Sequence, residues 1–311
     1  MTGMDMDDWR VLQQRCLSIM LDPLEPVTER ADAGRRLAAV GDPRPGVGLR
    51  PDGLPDLVWC EVPAGSADIG PGLGCKEVAA FQIAMYPVTQ LQYQAFLDAG
   101  DGYQQASWWD LTSALQSSLW DLTSALAHGE AEALPGGMDP VDTNHPAVYV
   151  SWHAAMAFCR WLSAKMSGEL PRGTAIRLPT EAEWVRAASG VHANAYPWGS
   201  DYEVGRANVD ERGLPGGSWL ESVTAVGVYP AGRADCGALD LLGNVWEWTL
   251  GEIVFDGSTA NRWPRVMSAG SGKVALGGSW LDSPRSCADW LANHPLSRQV
   301  HMGFRVVLAD P

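Results

Sequence analysis

The residues that could hold a metal or act as a nucleophile are scattered, and their spacing matches no common catalytic signature. The six cysteines stand at positions 16, 60, 75, 159, 236 and 287. No two cysteines have the C-x-x-C spacing of a zinc or redox site, and no H-E-x-x-H pair occurs. Ser271 lies in Ala-Gly-Ser-Gly-Lys, whose glycine spacing is wrong for a phosphate-binding loop. The cysteines therefore fit a reduced, intracellular set better than a disulfide framework.

The charge of the chain excludes several classes of partner. The net charge is −15, from 37 acidic and 22 basic residues. Nucleic acids and anionic membranes attract basic surfaces, so we expect neither as a partner. The acidic N-terminus lacks the apolar stretch of a secretory signal, and no run of about 18 apolar residues occurs. We therefore expect a cytoplasmic protein without membrane insertion, and a monomer.

Helical patterns in the first fifty residues predict an N-terminal extension. Residues 9–20 and 29–40 each have helical character, and prolines and glycines interrupt the pattern over residues 43–51. We place a boundary there, with a helical extension over residues 1–50 and one domain over residues 51–311.

Capping residues predict the helices that organise the domain. Thr89 and Gln92 stand in capping-box spacing, as do Thr180 and Glu183, and Ser151 precedes a helical stretch as an N-cap. We therefore expect a helix to begin at each of Thr89, Ser151 and Thr180.

Short apolar runs predict the strands. They lie at residues 57–62, 81–86 and 145–150, and beyond residue 196 such runs alternate with glycine and proline turns. The pattern alone predicts an α+β fold with little regular secondary structure.

Tryptophan is unusually common, with 15 residues against 5 phenylalanines and 7 tyrosines. Its broad apolar face suits loop-rich cores and binding surfaces. The sequence Trp-Asp-Leu-Thr-Ser-Ala-Leu starts at Trp109 and again at Trp120. This spacing is close to three helical turns, so we interpret the duplication as a local insertion whose two copies face the same way.

A series of short motifs occurs in order along the domain. They begin at Tyr86 (Tyr-Pro-Val-Thr-Gln-Leu-Gln-Tyr), Asn144 (Asn-His-Pro-Ala-Val-Tyr-Val-Ser-Trp), Arg177 (Arg-Leu-Pro-Thr-Glu-Ala-Glu-Trp), Tyr196 (Tyr-Pro-Trp-Gly), Gly243 (Gly-Asn-Val-Trp-Glu-Trp), Gly277 (Gly-Gly-Ser-Trp) and Gly303 (Gly-Phe-Arg-Val-Val). Together they resemble the formylglycine-generating-enzyme (sulfatase-modifying factor) family over residues 55–308. The resemblance implies an elaborated C-type lectin fold within the α+β class.

The resemblance does not extend to the copper chemistry of that family. Its enzymes oxidise a substrate cysteine with copper held by two cysteines, which correspond to Asp282 and Cys287 here. A soft Cu(I) site depends on thiolates, and a carboxylate replaces one of them. We therefore expect no copper and no catalytic residues, with Cys287 as a small buried apolar side chain. A second branch of the family uses an iron centre with histidines from an N-terminal bundle, but the first histidine here is His128.

Residues 276–308 resemble the variable region of proteins that diversity-generating retroelements of bacteria or phage rewrite. The frame positions that fit are Gly277, Gly278, Pro284, Arg285, Pro295, Arg298, Gly303, Phe304 and Arg305. Between them lie chemically varied residues, which we predict to contact a macromolecular ligand, most simply a protein: Leu281, Asp282, Ser283, Ser286, Asp289, Trp290, Leu291, His294, Ser297, Gln299, Val300, His301 and Met302. The alternative is that these residues pack an ordinary C-terminal core.

The family resemblance also implies structural calcium. One site would use carboxylates of Asp240 and Glu247 and the carbonyls of Gly243 and Val245, all hard oxygen ligands. The alternative is a solvated Asp240 and a hydrogen-bonded Glu247. A second site would use three residues, namely Asn208, the Val209 carbonyl and Glu221.

Three functions remain open at the level of sequence. The first is a non-catalytic recognition protein that displays a diversified surface. The second is a formylglycine-generating-enzyme-like oxidoreductase that acts on protein cysteine, and the third is an accessory module of a bacterial signalling system. Under the first, Trp290 is the tryptophan expected to meet the ligand. Six others lie in the motifs and should pack the scaffold, namely Trp152, Trp184, Trp198, Trp246, Trp248 and Trp280.

Overall fold

A computed structural model describes residues 6–70, 74–109, 142–255 and 270–311. The helices are α1 (Met6–Leu21), α2 (Val27–Val40), α3 (Gln90–Asp98), α4 (Trp152–Met166) and α5 (Glu181–Ser189). The strands are β1 (Trp59–Val62), β2 (Gly65–Asp68), β3 (Cys75–Val78), β4 (Phe81–Ala84), β5 (Ala175–Arg177), β6 (Trp246–Phe255), β7 (Gly270–Leu276), β8 (Trp290–Asn293), β9 (Met302–Phe304) and β10 (Val307–Ala309).

Two four-stranded sheets carry the domain. The first has the order β1-β4-β10-β5 and is antiparallel throughout. The second has the order β8-β7-β6-β9, in which β6 and β9 are parallel. Strands β2 and β3 form a separate hairpin. The C-terminal part is therefore more regular than predicted, because β6 has 10 residues and β7 has 7.

The main core lies between α3, α4 and the second sheet. Phe96, Phe158, Trp161, Trp248 and Phe304 are each at most 1% exposed. Phe158 packs edge-on against Phe96 and Phe304, with ring centroids 5.8 and 5.3 Å apart. Such edge-to-face contacts add to the hydrophobic gain from burying the rings. This core fixes α4 against the strands that lead to the C-terminal segment.

The predicted helix starts are confirmed. The Thr89 side chain accepts a hydrogen bond from the backbone N–H of Gln92. The Gln92 side chain accepts one from the backbone N–H of Thr89, which completes the capping box. Thr180 and Glu183 do the same at α5. Ser151 caps α4 by accepting from the backbone N–H of Ala154.

Residues 145–150 are not a strand, which corrects the prediction. Tyr149 has a positive φ of 59°, and such a residue interrupts an extended run. The backbone instead makes single contacts, from Ala147 N–H to the Val88 carbonyl and from Tyr149 N–H to the Gln299 carbonyl. Residues 145–150 therefore form an irregular stretch whose backbone hydrogen-bonds to the C-terminal segment.

The two N-terminal helices pack directly on the domain. Arg30 of α2 is buried, donates to the Val228 carbonyl at 2.8 Å and lies over the Tyr229 ring. A Cβ atom on Gly34 would lie 2.8 Å from Cβ of Ala225, so only glycine allows this approach. The boundary near residue 50 stays a prediction, but α2 shares a core with residues 225–229.

The duplicated sequence is only partly within the described residues. Trp109 packs edge-on against Tyr103 at 4.9 Å and donates its indole N–H to the Tyr103 carbonyl. Trp120 lies outside the described residues. Among the helices that the structure describes, none is both long and apolar enough to span a membrane.

Candidate functional site

The site predicted from sequence starts at a turn that follows β7. Gly277 and Gly278 have φ values of 99° and 72°, a region that residues with side chains rarely adopt. A Cβ on Gly277 would also lie 3.1 Å from the Trp184 ring. At these glycines the backbone turns away from β7, and residues 279–284 form a loop outside the sheet. We call residues 279–284 the display loop.

Asp282 closes the display loop from within. Its carboxylate accepts the backbone N–H of Ser279 at 3.0 Å, the Ser279 hydroxyl at 2.7 Å and the indole N–H of Trp246 at 2.8 Å. Arg285 donates to its second oxygen at 3.3 Å. These contacts make Asp282 a structural anchor of the display loop, while 19% of its side chain is exposed, so its contact with a ligand stays a prediction.

Cys287 lies in the core below the loop, as predicted from its isolated position. It is 1% exposed and packs in an apolar cluster that includes Val274 and Leu276. Burial raises the pKa of its thiol above the ordinary value, so the thiolate needed for metal binding is disfavoured. The two residues that the family resemblance aligns with copper-binding cysteines are thus a hydrogen-bonded carboxylate and a buried thiol.

The predicted contact residues divide into three groups by exposure. Leu281, Ser283 and Asp289 are exposed, and Leu281 is 46% exposed. Met302 is buried in β9 with 0% exposure, so it belongs to the core and its assignment as a contact was wrong. The rest are partly buried: Asp282, Ser286, Trp290, Leu291, His294, Ser297, Gln299, Val300 and His301.

Several partly buried members support the sheet instead of projecting from it. Trp290 packs against the cluster that contains Cys287, and Leu291 packs against the main core. Both lie on β8, where Trp290 pairs with Leu276 and Leu291 pairs with Ala275. Cross-strand pairing therefore commits part of each side chain to the scaffold.

A second loop, residues 210–219, faces the display loop, and we call it the wall loop. The backbone N–H of Asp210 donates to the Asp282 carbonyl at 2.8 Å. The indole N–H of Trp219 donates to the Trp280 carbonyl at 2.7 Å, and the two rings stack with centroids 6.3 Å apart. Arg212 lies 3.9 Å above the Trp219 ring, which is a cation–π contact.

Between the two loops lies an open groove of about 520 Å³. Its lining is Asp210, Arg212, Gly213, Leu214, Ser283 and Pro284. Asp210 binds Arg212 through both carboxylate oxygens, and this pairing raises the pKa of Arg212 and lowers that of Asp210. The groove lining therefore combines two apolar side chains, Leu214 and Pro284, with a serine hydroxyl and a paired charge.

Glu211 holds the wall loop in shape. It is 1% exposed, and one carboxylate oxygen accepts from the Tyr202 hydroxyl and from the backbone N–H of Gly205 at 2.9 Å. Its backbone N–H donates to the Ser218 carbonyl. A Cβ on Gly217 would lie 2.0 Å from the Glu211 carbonyl oxygen, so this turn requires glycine.

Sequence reasoning missed the wall loop as part of the site. Arg212, Leu214 and Trp219 belong to no motif that was singled out, although the stretch Gly-Leu-Pro-Gly-Gly-Ser-Trp signals a tight turn beside an aromatic residue. Their relation to Ser283 depends on a contact between distant parts of the chain.

The first predicted calcium segment does not fit calcium. Both oxygens of Glu247 accept hydrogen bonds from Arg305, and one also accepts from the Trp184 indole at 2.6 Å. Asp240 accepts the backbone N–H of Gly227 at 2.6 Å, and burial raises the pKa of Asp240 to about 6. The Gly243 carbonyl accepts the N–H of Val245 at 2.8 Å. Protein donors therefore already contact both oxygens of Glu247, one oxygen of Asp240 and the Gly243 carbonyl.

The second predicted calcium set fits in one respect only. The side-chain oxygen of Asn208 is buried and has no hydrogen-bond partner among the described residues, and such an orphaned oxygen suits a cation. The Asn208 amide nitrogen donates to the Ser222 carbonyl and to Asn244. Val209 is buried and Glu221 is exposed. Calcium at these three residues stays a prediction.

Comparison with known proteins places this fold and site in a family. A profile of the sulfatase-modifying factor enzyme 1-like domain matches residues 60–310. The chain belongs to this family. Both enzymes and inactive proteins occur among its relatives. Hercynine oxygenase of Mycobacterium tuberculosis is 31% identical over 245 residues, which cover 74% of this chain and 53% of that protein.

An inactive relative is similar to a comparable degree. Inactive C-alpha-formylglycine-generating enzyme 2 of Bos taurus is 33% identical over 197 residues, which cover 62% of this chain and 56% of that protein. The chain spans about half the length of the curated relatives it matches first. Membership of the sulfatase-modifying factor family therefore does not decide between an active and an inactive protein.

A solved structure confirms the fold class. Treponema denticola variable protein 1 superposes with a TM-score of 0.53 at 19% identity, covering 82% of this chain and 96% of that chain. At this identity the likeness shows the fold. The predicted α+β fold of the formylglycine-generating-enzyme type is confirmed.

Proposed function

We propose that this chain is a non-catalytic recognition protein that binds a protein ligand in the groove between the display loop and the wall loop. The observation that carries the proposal is the state of Asp282 and Cys287. The carboxylate is held by Ser279, Trp246 and Arg285, and the thiol is buried in an apolar cluster. Neither position thus offers a free thiolate for copper, and Asp282 instead holds the loop whose residues Ser283 and Pro284 line the groove.

The groove has the chemistry of a protein interface. Leu214 and Pro284 supply apolar contact area, Ser283 supplies a hydroxyl, and the paired Asp210 and Arg212 lie at the edge. Protein interfaces commonly combine an apolar centre with a polar rim. These features support a protein ligand over a small polar substrate.

The exposure pattern supports diversification of part of the segment. A rewritten surface has to accept many side chains without unfolding the scaffold. Leu281, Ser283 and Asp289 are exposed and can change at little cost, whereas Cys287 and Ala292 are buried. We therefore propose that variation concentrates at the exposed positions of the segment.

The genomic locus provides a direct test. A near-copy of the DNA for residues 276–308, beside a reverse transcriptase gene and different only at adenines, would support diversification. The differences should fall on the codons for Leu281, Ser283 and Asp289 and spare those for Cys287 and Ala292. A locus without such a copy, or with differences on the buried codons, would contradict this part of the proposal.

Enzyme activity is the main alternative, because relatives such as hercynine oxygenase have enzymatic names. The purified chain is incubated with Cu(I), oxygen and a cysteine-containing peptide, and separately with Fe(II), oxygen, hercynine and a thiol. Mass spectrometry of the peptide and of hercynine measures turnover. We expect no product in either reaction. A product above the level of a heat-denatured control would overturn the non-catalytic assignment.

A further inference from the structure

Arg305 is a fully buried cation whose hydrogen-bond donors are all used. Its Nη1 donates to the carbonyls of Ala84 and Met85 at 2.9 and 2.8 Å. Its Nη2 donates to the Leu239 carbonyl at 2.7 Å and to Glu247 at 2.8 Å. Its Nε donates to both oxygens of Glu247, at 3.2 and 3.0 Å. Arg305 and Glu247 both have 0% side-chain exposure.

The acceptors around this guanidinium form an all-oxygen shell. They are the two carboxylate oxygens of Glu247 on β6 and three backbone carbonyls, which belong to Ala84 in β4, Met85 just after it, and Leu239. Carboxylates and carbonyls of this kind are also the ligands that Ca²⁺ selects. A guanidinium supplies one positive charge with five directed N–H donors, and here every donor has an acceptor.

We propose that Arg305 is the internal cation of this part of the fold, and that residues 240–247 therefore fold without calcium. The proposal is independent of the recognition function. It assigns to Arg305 the task that the family resemblance would give to a metal, which is to bind Glu247 to the neighbouring loops.

Arg305 and a calcium ion cannot both use Glu247. Calcium binds oxygens at about 2.3–2.6 Å, which needs lone pairs that face the ion. Each oxygen of Glu247 already has two donors, from Arg305 and, for one of them, from Trp184. Calcium binding would displace the guanidinium and leave a buried charge without its partner, and such a loss is strongly destabilising.

The charge balance points the same way. Glu247 and Arg305 neutralise each other in a region with no exposure to water. Asp240 lies outside this pair and accepts the backbone N–H of Gly227. A divalent ion on Glu247 would add two positive charges beside the positive charge of Arg305, which is costly at low dielectric.

Calcium stoichiometry tests the proposal. The wild-type chain, Asp240→Asn and Glu247→Gln are dialysed against calcium chloride, and bound calcium per chain is measured by plasma mass spectrometry. We expect Asp240→Asn to bind as much calcium per chain as the wild type. This amount is zero if the chain binds no calcium, and it stays equal in both chains if calcium binds at another site, such as Asn208. A loss of one ion per chain in Asp240→Asn, with the thermal midpoint retained, would overturn the proposal.

Chemical rescue tests the role of the guanidinium itself. Arg305→Ala should lower the thermal midpoint by about 10 °C, since it leaves Glu247 buried without its cation. Millimolar ethylguanidinium should restore part of the lost thermal midpoint in Arg305→Ala. It should not change the thermal midpoint of Arg285→Ala, because the wild-type Arg285 side chain is partly exposed. An Arg305→Ala chain that melts like the wild type would contradict the proposal. If this variant does not fold, the calcium stoichiometry of Asp240→Asn still decides.

Discussion

Replacing Asp282 by alanine tests whether its carboxylate anchors the display loop. The change removes the acceptor of Ser279, of the Trp246 indole and of Arg285. Trp246 and Ser279 are at most 3% exposed, so their N–H donors would lose a partner where water hardly reaches. A buried donor without a partner costs about 1–3 kcal/mol.

The Asp282 side chain is itself 19% exposed, so water can replace some of the lost contacts. We therefore expect a loss of about 3 kcal/mol in the free energy of unfolding. For a domain of this size that corresponds to a fall in the thermal midpoint of about 6–12 °C. Differential scanning fluorimetry measures the midpoint, and urea unfolding measures the free energy.

Asp210→Ala is the matched control, because Asp210 borders the same groove but its carboxylate pairs with an Arg212 side chain that is 60% exposed. Exposed pairs of this kind contribute little to stability, so this variant should melt close to the wild type. If Asp282→Ala also melts like the wild type, the carboxylate is not an anchor. The position would then be available for a ligand, and the argument against a metal at Asp282 would fail.

Three further predictions, which use four substitutions, have defined outcomes. Gly217→Ala places a Cβ 2.0 Å from a carbonyl oxygen across the wall loop, so it should cost about 1–3 kcal/mol in urea unfolding. Met302→Ala should lower the free energy of unfolding by about 2–5 kcal/mol because Met302 is buried. Leu281→Ala should change it by no more than about 0.5 kcal/mol because Leu281 is exposed. Equal losses in the two variants would contradict the division of the segment into buried and exposed residues. Burial alone would raise the pKa of Asp42, but hydrogen bonds from Arg44 hold it below its usual value. This contribution is complete above about pH 4 and is lost as the pH falls through the lower folded pKa. Asp42→Asn should therefore reduce stability at neutral pH and flatten the acid limb of the stability profile, and an unchanged profile would contradict this.

Features that depend on neighbouring residues could be predicted from the sequence. Thr89 and Gln92 are three residues apart, and so are Thr180 and Glu183, so the chemistry of each capping box is contained in one turn of chain. The apolar stripe of α4 is equally local. These elements form as expected because few alternative partners exist for their backbone groups.

Features that depend on distant contacts could not be predicted in the same way. The role of Asp282 depends on its hydrogen bond with Trp246, which lies on β6, far from the display loop in sequence. The wall loop becomes part of the site because the Asp210 N–H donates to the Asp282 carbonyl and the Trp219 indole donates to the Trp280 carbonyl. Residues 145–150 have a strand-like apolar pattern, yet the positive φ of Tyr149 ends any extended run. Pattern alone carries no information on such pairings.

The tryptophans show how topology assigns roles that composition cannot. Trp290, which was expected to meet the ligand, is opposite Leu276 in β8 and packs partly against the core, and its contact with a ligand stays a prediction. Trp280 was expected to pack the scaffold, and it stacks on Trp219 of the wall loop, whose ring Arg212 covers. The difference has one cause. Trp280 follows the two glycines that turn the chain out of β7, whereas Trp290 lies where β8 returns to pair with β7. The turn at Gly277 and Gly278 thus brings Trp280 to the wall loop, whereas the pairing of β8 with β7 keeps Trp290 against the sheet.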